Sequence, residues 1–366
     1  MRKLFTAKTH SLMRYKRAMA AFLALAMSIS LAACGQNRTS KAADVSAPSV
    51  VSSQAVSSAP ACIKVTLALS SRTAAPLLGG LYEAEAQGYF AKYGVEVTFR
   101  SADSAEKASE LAASGTTQFT TAEQSTSFAQ ALSSGKSLTA VAALLQHSDS
   151  GIVIPASKNI SRPKQLESVT CQTGSRPVLA AKLLDAVAAD GGQSSALIKD
   201  TVDTVTTANV VSMLKQGKTA CCGSYSWDGL ACREANIAAN FLFFRDVDAA
   251  LDDYPLLLAA NTSFLKKQPK VAENFLAAAK MGYLYAAAHP ENTSKLLCSK
   301  IAAVRSQQPL VQRSLTWLAG KYTDNAARWG ELDIQRWNRF YGWMNQKKLT
   351  PKTIPLSTGV SDAYLP

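Results

Sequence analysis

The sequence predicts an α/β protein of two lobes joined by a hinge, and three observations carry that prediction. Apolar, β-branched stretches alternate with helical ones at the spacing of βαβ units. Residues 61–366 exceed the roughly 100 to 200 residues of one ordinary domain core. Residues 153–255 interrupt the first alternation with a second one before the chain returns.

Taken in order, "CIKVTLAL" (residues 62–69) reads as a buried strand, "LLGGLYEAEAQGYFAKYG" as a helix and "VEVTFRS" as the next strand. Helices at 104–114 and 125–134 alternate with strands at 118–121 and 138–145. "DSGIVIPA" then runs extended into the second set: strand "SVTCQTG", helices 177–189 and 208–216, and strand "TACCGSY". "YPLLLAAN" is a returning strand, after which the chain is helical, alanine-rich and set with Trp317, Trp329, Trp337 and Trp343. The crossings near 151–155 and 254–260 form the expected hinge. Ligands of open α/β sheets bind beyond the carboxyl ends of the strands, so the two lobes are expected to face one another across a cleft.

The domain plan is a leader (1–33), a tether (34–60), a first lobe (61–152), a second lobe (153–255) and a return to the first lobe (256–366). The leader carries Arg2, Lys3, Lys8, Arg14, Lys16 and Arg17, then the apolar run 18–31, then "LAAC". Basic, apolar, small-residue order reads as an export signal, with cleavage expected to leave Cys34 as a lipid-modified end. An uncut signal anchor is the other reading. Residues 35–60 are poor in bulky apolar side chains and cannot offset their ordering entropy, hence a flexible tether.

The formal charge is +13, but six of the 39 basic residues lie in the leader and none of the 26 acidic ones do. The rest of the chain holds 33 basic against 26 acidic residues, a formal +7. These charges are scattered rather than striped among aromatics, which argues against a nucleic-acid partner. Two histidines remain, His147 and His289, and there is no GxSxG, HExxH or CxxC, so neither catalysis nor a metal site is expected. Cys221 and Cys222 are adjacent in a strand and point to opposite faces, an awkward start for metal ligation. Of six cysteines beyond Cys34, Cys171 and one of Cys221 or Cys222 share a lobe. A disulfide between them and buried free thiols both stay open.

The stretch "GLYEAEAQGYFAKYGVEVTF" resembles the "GLYxAxxxGYFxxxGLxV" opening of bacterial substrate-binding proteins of the thiamine-pyrimidine-precursor-binding superfamily. "ALLQHSDSGIVI", "FLKKQPKVAENFLAAAKMGYLYAAAHPE", "RWGELDIQRWNRFYGWM" and "DAYLP" resemble later segments of that family, in order, over about residues 65–366. The resemblance implies a periplasmic-binding-protein fold of type II character that clamps a small molecule and delivers it to the membrane permease and ATPase of an ABC importer. It implies an extracytoplasmic, lipid-anchored monomer without cofactor. The implied ligand is a small planar heteroaromatic, a thiamine-pyrimidine precursor or similar vitamin-like compound. The family also binds sulfonates and nitrate, and includes a pyrimidine synthase. The synthase's cysteine-rich iron motif precedes the return strand, where this chain has "ALDDYPLLL" and no cysteine. The pyrimidine branch's "DWxPNxxHxGLY" loop is "SSRTAAPLLGGLY" here, with Ser71 and Arg72 at its Asp and Trp and Leu78 at its His.

The candidate ligand contacts follow from strand ends and from this resemblance. Arg72 either stacks on a ring, grips an anion or is a plain surface residue. Trp227 and Asp228 take the Trp and Asn of the family's "GKxDAxxGxxWNxE", its Glu falling on Leu230; Trp227 offers a flat wall, and Asp228 accepts from an amino group or caps a helix. Tyr225 is a further wall, and Tyr82 reaches the cleft or the core. Glu123 and Gln124 occupy a loop after a strand, His147 and Ser150 the first crossing. In "QTGSRP", the amides of Gly174 and Ser175 open a helix.

Overall fold

The segment "IKVTLALS" becomes β1 (Ile63–Ser70), exposed at its first two residues and buried through its last four, as a strand covered on both faces should be. The chain leaves it through α1 (Gly79–Ala86) and α2 (Tyr89–Lys92) and returns as β2 (Val95–Ala102), parallel to β1. Gly88, at φ +69°, ends what the sequence presents as one continuous helix, because that left-handed conformation is open to glycine and costly for other residues. A second crossing through α3 (Ala105–Ala113), capped by Ser104 Oγ accepting from Lys107 N at 3.1 Å, leads to β3 (Phe119–Ala122) on the other side of β1. The order reverses at β1, which leaves an open crevice at the carboxyl ends of β1 and β3. The computed structural model describes residues 62–70, 75–193, 197–199, 205–324 and 326–366.

After α4 (Ala129–Ser133) and β4 (Leu138–Ala143) the chain crosses into a second sheet. Its strands are β5 (Ser150–Pro155), β6 (Thr170–Gln172), β7 (Thr219–Ser224) and β8 (Ala239–Phe243), with α5 (Pro177–Ala189), α6 (Thr207–Lys215) and α7 (Leu230–Glu234) between them. The spatial order is β6-β7-β5-β8, with β6 parallel to β7 and β5 antiparallel to both neighbours. β8, "ANFLF", has no counterpart in the sequence reading. It is a half-buried edge strand without the apolar run or clean alternation that marks the others.

The return strand β9 (Leu257–Asn261) enters the first sheet between β3 and β4, antiparallel to both, giving the order β2-β1-β3-β9-β4. All five of its residues are buried, the central position that "LLAAN" dictates. Helices α8 (Thr262–Lys267), α9 (Pro269–Ala288), α10 (Pro290–Lys300), α11 (Gln308–Leu318) and α12 (Ile334–Gln346) complete the chain. α9 lies unusually close to α1. A Cβ on Gly282 would stand 2.0 Å from the Gly80 carbonyl, and one on Gly80 would stand 2.2 Å from the Tyr283 ring, so glycine at both positions sets the spacing. Two segments thus join the sheets, residues 144–149 and 244–256, tied by Leu144 N donating to Leu256 O at 2.9 Å. The result is a two-lobed fold with a hinged cleft.

Candidate functional site

β3 and β7, one in each lobe, end in the same way. Each runs into a single π-helical turn, Gln124–Phe128 in the first lobe and Tyr225–Gly229 in the second, and then into a short α-helix. Such wide turns are rare and recur at functional sites. Here they carry polar and aromatic side chains to a cavity of about 370 Å³ between the lobes. Glu123, Ser125 and Thr126 line it from the first turn, and Ser224, Trp227 and Asp228 from the second. The crossings add Ser148, Asp149 and Asp253, the start of β5 adds Ser150, and Arg176, Val178, Leu179 and Lys182 come from the start of α5.

Trp227 is half-buried at the seam. It packs against a first-lobe cluster that includes Ala75, Val311 and Leu315 and against a second cluster made by Leu230 and Ala231 of its own lobe with Leu310, with the cavity beside it. Asp228 holds the turn together: Oδ2 accepts from Ser224 N at 3.0 Å and Oδ1 from Thr207 Oγ1 at 2.7 Å. Burial pushes its carboxyl up, against the pull of those bonds. A Cβ on Gly223 would lie 2.3 Å from Asp228 Oδ2, so the glycine makes room for this carboxylate.

Glu123 accepts from Thr126 Oγ1 at 2.9 Å through Oε2. Burial raises its pKa, and the charge of Asp253 adds to the rise while Thr126 and Arg176 oppose it. Asp149 is 4% exposed and accepts from both Ser226 N, at 3.3 Å, and Ser226 Oγ; burial again pushes its carboxyl up. Lys182 Nζ is 2.5 Å from Asp253 Oδ1 and 3.2 Å from Ser150 Oγ, and stands 5.4 Å from the Phe340 ring centroid. Arg176 donates Nε to Thr173 O at 2.9 Å and Nη2 to Cys222 O at 2.8 Å, bridging the β6–α5 turn to β7.

Of the residues singled out by sequence, Glu123, Ser150, Trp227 and Asp228 therefore meet at one cavity. The others stand elsewhere. Gln124 is fully buried, its Oε1 accepting from Tyr254 N at 2.7 Å, so it joins the first lobe to the second crossing rather than facing the cavity. Tyr82 packs edge-on against Phe99, and burial raises its phenol. Tyr225 turns to the far side of its π turn, against Phe241, Phe243 and Trp317. His147 lies in the hinge, Nδ1 at 2.6 Å from Asp252 Oδ2 and 2.9 Å from Arg336 Nη1. Gly174 and Ser175 both have positive φ in the β6–α5 turn and do not line the cavity; their neighbour Arg176 does. Arg72 and Cys34 lie outside the described residues.

Sequence reasoning passed over Lys182, Arg176, Asp149 and Asp253. Lys182 left a signal: it occupies the buried stripe of α5 with Val178 and Ala186, where a lysine needs a buried partner. Asp149 and Asp253 left none, because their partners come from segments 77 and 71 residues away.

Cys171, Cys221, Cys232 and Cys298 are buried free thiols, and Cys62 a half-buried one. Cys221 packs with Val153 and Cys232 while Cys222 packs on the opposite face with Cys171, the divergence that strand geometry requires. Burial pushes Cys171 and Cys221 up to about 12 and Cys232 to about 11, which makes them inert thiols. Among the described residues no group of three His, Cys, Asp or Glu side chains is arranged to hold a metal ion.

Three solved structures share the fold at low identity. The aliphatic sulphonate-binding protein SsuA of Escherichia coli is 13% identical with a TM-score of 0.61, over 80% of this chain and 95% of its own. The alkanesulfonate-binding SsuA of Xanthomonas axonopodis pv. citri, bound to MOPS, is 12% identical with a TM-score of 0.57, over 83% and 99%. The desulfurization enzyme DSZB is 12% identical with a TM-score of 0.55, over 82% and 97%. No curated protein matches the sequence. Residues 75–293 match the NMT1/THI5 like family, a span that takes in both π turns and both crossings. With more than half of its length under that match, the chain belongs to the NMT1/THI5 like family.

Proposed function

We propose that this protein is the extracytoplasmic solute receptor of an ABC importer, held at the membrane by lipid on Cys34, and that its lobes close on a small planar heteroaromatic solute. The observation that carries the reading is the cavity itself, lined by matching strand-end turns from both lobes and walled by the Trp227 indole. An indole offers a large, rigid contact area to a flat ring at low entropy cost. An enzyme, DSZB, shares the fold, and the family match and the sulfonate-binding neighbours are what support binding over catalysis. Among the described residues no helix is long and apolar enough to cross a membrane. The lipid anchor in this reading rests on the "LAAC" stretch that ends at Cys34.

The fold neighbours named for sulfonates support a second reading, a small-anion receptor. Titration of the purified protein with a 4-aminopyrimidine and with MOPS, followed by tryptophan fluorescence in wild type and Trp227→Phe, separates the two. Saturable quenching by the pyrimidine that shrinks in the variant supports the first reading, and a response to MOPS alone supports the second. For the anchor, Cys34→Ala should move the protein from the membrane to the soluble fraction. Retention after a high-salt wash would refute it.

A further inference from the structure

The charge of the cavity bears on which solute it takes, given the receptor reading above. An anion enclosed by protein needs cations or N–H donors that are not already committed. Lys182 does not meet that need: its ammonium is 1% exposed and held 2.5 Å from Asp253, itself 4% exposed, so the pair is neutral as a unit. Arg176 has given Nε and Nη2 to backbone carbonyls. Only its Nη1 lacks a hydrogen bond among the described residues, and the charges of Glu123 and Asp228 already act on this guanidinium. Against these two cations the described lining sets four carboxylates, Glu123, Asp149, Asp228 and Asp253.

The four are not equivalent. Asp253 is paired with Lys182, Asp149 is occupied by Ser226, and Asp228 by Thr207 and Ser224. Asp149 and Asp253 each keep one oxygen without a hydrogen bond from the described residues, but both residues are buried. Glu123 is only partly buried: its Oε2 takes the Thr126 hydroxyl, its Oε1 accepts no hydrogen bond from the described residues, and the residue lines the cavity. We infer that the solute presents a protonated nitrogen, an ammonium, amidinium or ring N–H⁺, to Glu123 Oε1, and that Glu123 is the residue that rejects sulfonates here. A sulfonate in the same place would meet a like charge, with Lys182 paired to Asp253 and only Nη1 of Arg176 left to offer, and a poorly compensated contact of that kind is how a site discriminates.

Three planar probes of similar size test this: benzamidine, a cation; benzamide, neutral; and benzenesulfonate, an anion. Each is titrated into the intact protein by thermal shift and calorimetry, since a solute that binds only the folded state raises the melting temperature. Benzamidine should give the largest shift and benzenesulfonate the smallest. Glu123→Gln should weaken benzamidine about tenfold or more, the scale of a charge-assisted bond, while benzamide changes by less than about twofold. If Glu123→Gln does not fold by circular dichroism, Glu123→Asp, which withdraws the carboxylate by one methylene, should show the same selective loss. A larger shift with benzenesulfonate, or benzamidine affinity indifferent to Glu123, overturns the inference and leaves the receptor reading standing. A sulfonate shift abolished by Arg72→Ala would also overturn it and name the cation responsible. A flat response to all three probes overturns the receptor reading and the inference with it.

Discussion

Single side chains in this protein do two jobs wherever the lobes meet. Trp227 walls the cavity and also fills the seam between hydrophobic clusters of both lobes. Trp227→Ala is therefore expected to weaken solute binding by roughly 1 to 3 kcal/mol and to lower the melting temperature of the empty protein modestly. Trp227→Phe should recover part of both; unchanged affinity in calorimetry would place the site elsewhere. In the hinge, Asp252 accepts from Ser148 N at 2.8 Å and faces His147 and Arg336. Burial alone would raise its pKa, but His147, Arg336 and the Ser148 amide outweigh it and hold the carboxyl below its ordinary value. A depressed carboxyl pKa contributes stability above the unfolded-state value, near 4, and loses it as the pH falls through the folded value. Asp252→Asn should thus cost on the order of 2 to 4 kcal/mol at neutral pH, as a buried pair broken on one side, and the difference from wild type should shrink below about pH 4. A difference independent of pH would contradict this. His147 was legible as a special residue because a lone histidine stood in "QHSDSG", but its partners, 105 and 189 residues away, decide that it serves the hinge.

At the scale of elements, the strands of the first sheet were legible because burial on both faces writes apolar runs into the sequence, as in "KVTLAL" and "LLAAN". The π turns were not. Nothing in "EQSTSF" or "SYSWDG" distinguishes a wide turn from an ordinary helix start, and the turn geometry decides that Trp227 and Asp228 reach the cavity while Tyr225 faces away. The α1–α9 contact depends on the absence of two side chains. Gly282→Ala would place a Cβ 2.0 Å from the Gly80 carbonyl and 2.7 Å from Ala84 N, both backbone atoms that cannot step aside. The helices must separate, so a net loss of about 1 to 3 kcal/mol is expected, despite alanine's better helix propensity of about 1 kcal/mol. A denaturant melt that finds the variant as stable as wild type would show that the helices tolerate a wider spacing.

Across the whole molecule, the lobes are joined by more than the two crossings. Ser314 Oγ on α11 donates to the Ser226 carbonyl, Arg313 on α11 pairs with Glu234 on α7 at 2.8 Å, and Trp343 Nε1 on α12 donates to Asp185 on α5 at 2.7 Å. Parting of the lobes along α11 would break the first two of these bonds, so Ser314→Ala, which leaves the lining intact, should speed solute release more than it slows capture. Stopped-flow tryptophan fluorescence, compared with Trp227→Phe to isolate the cavity indole, reads both rates, and a change confined to capture would assign Ser314 another role. The central claim is that the space between the lobes is a solute site, and native mass spectrometry of the gently purified protein tests it most directly. Wild type should carry one small molecule per chain, and Trp227→Ala and Glu123→Gln should carry it at reduced occupancy or not at all. Wild type at its bare mass, or equal occupancy in all three proteins, would contradict the claim.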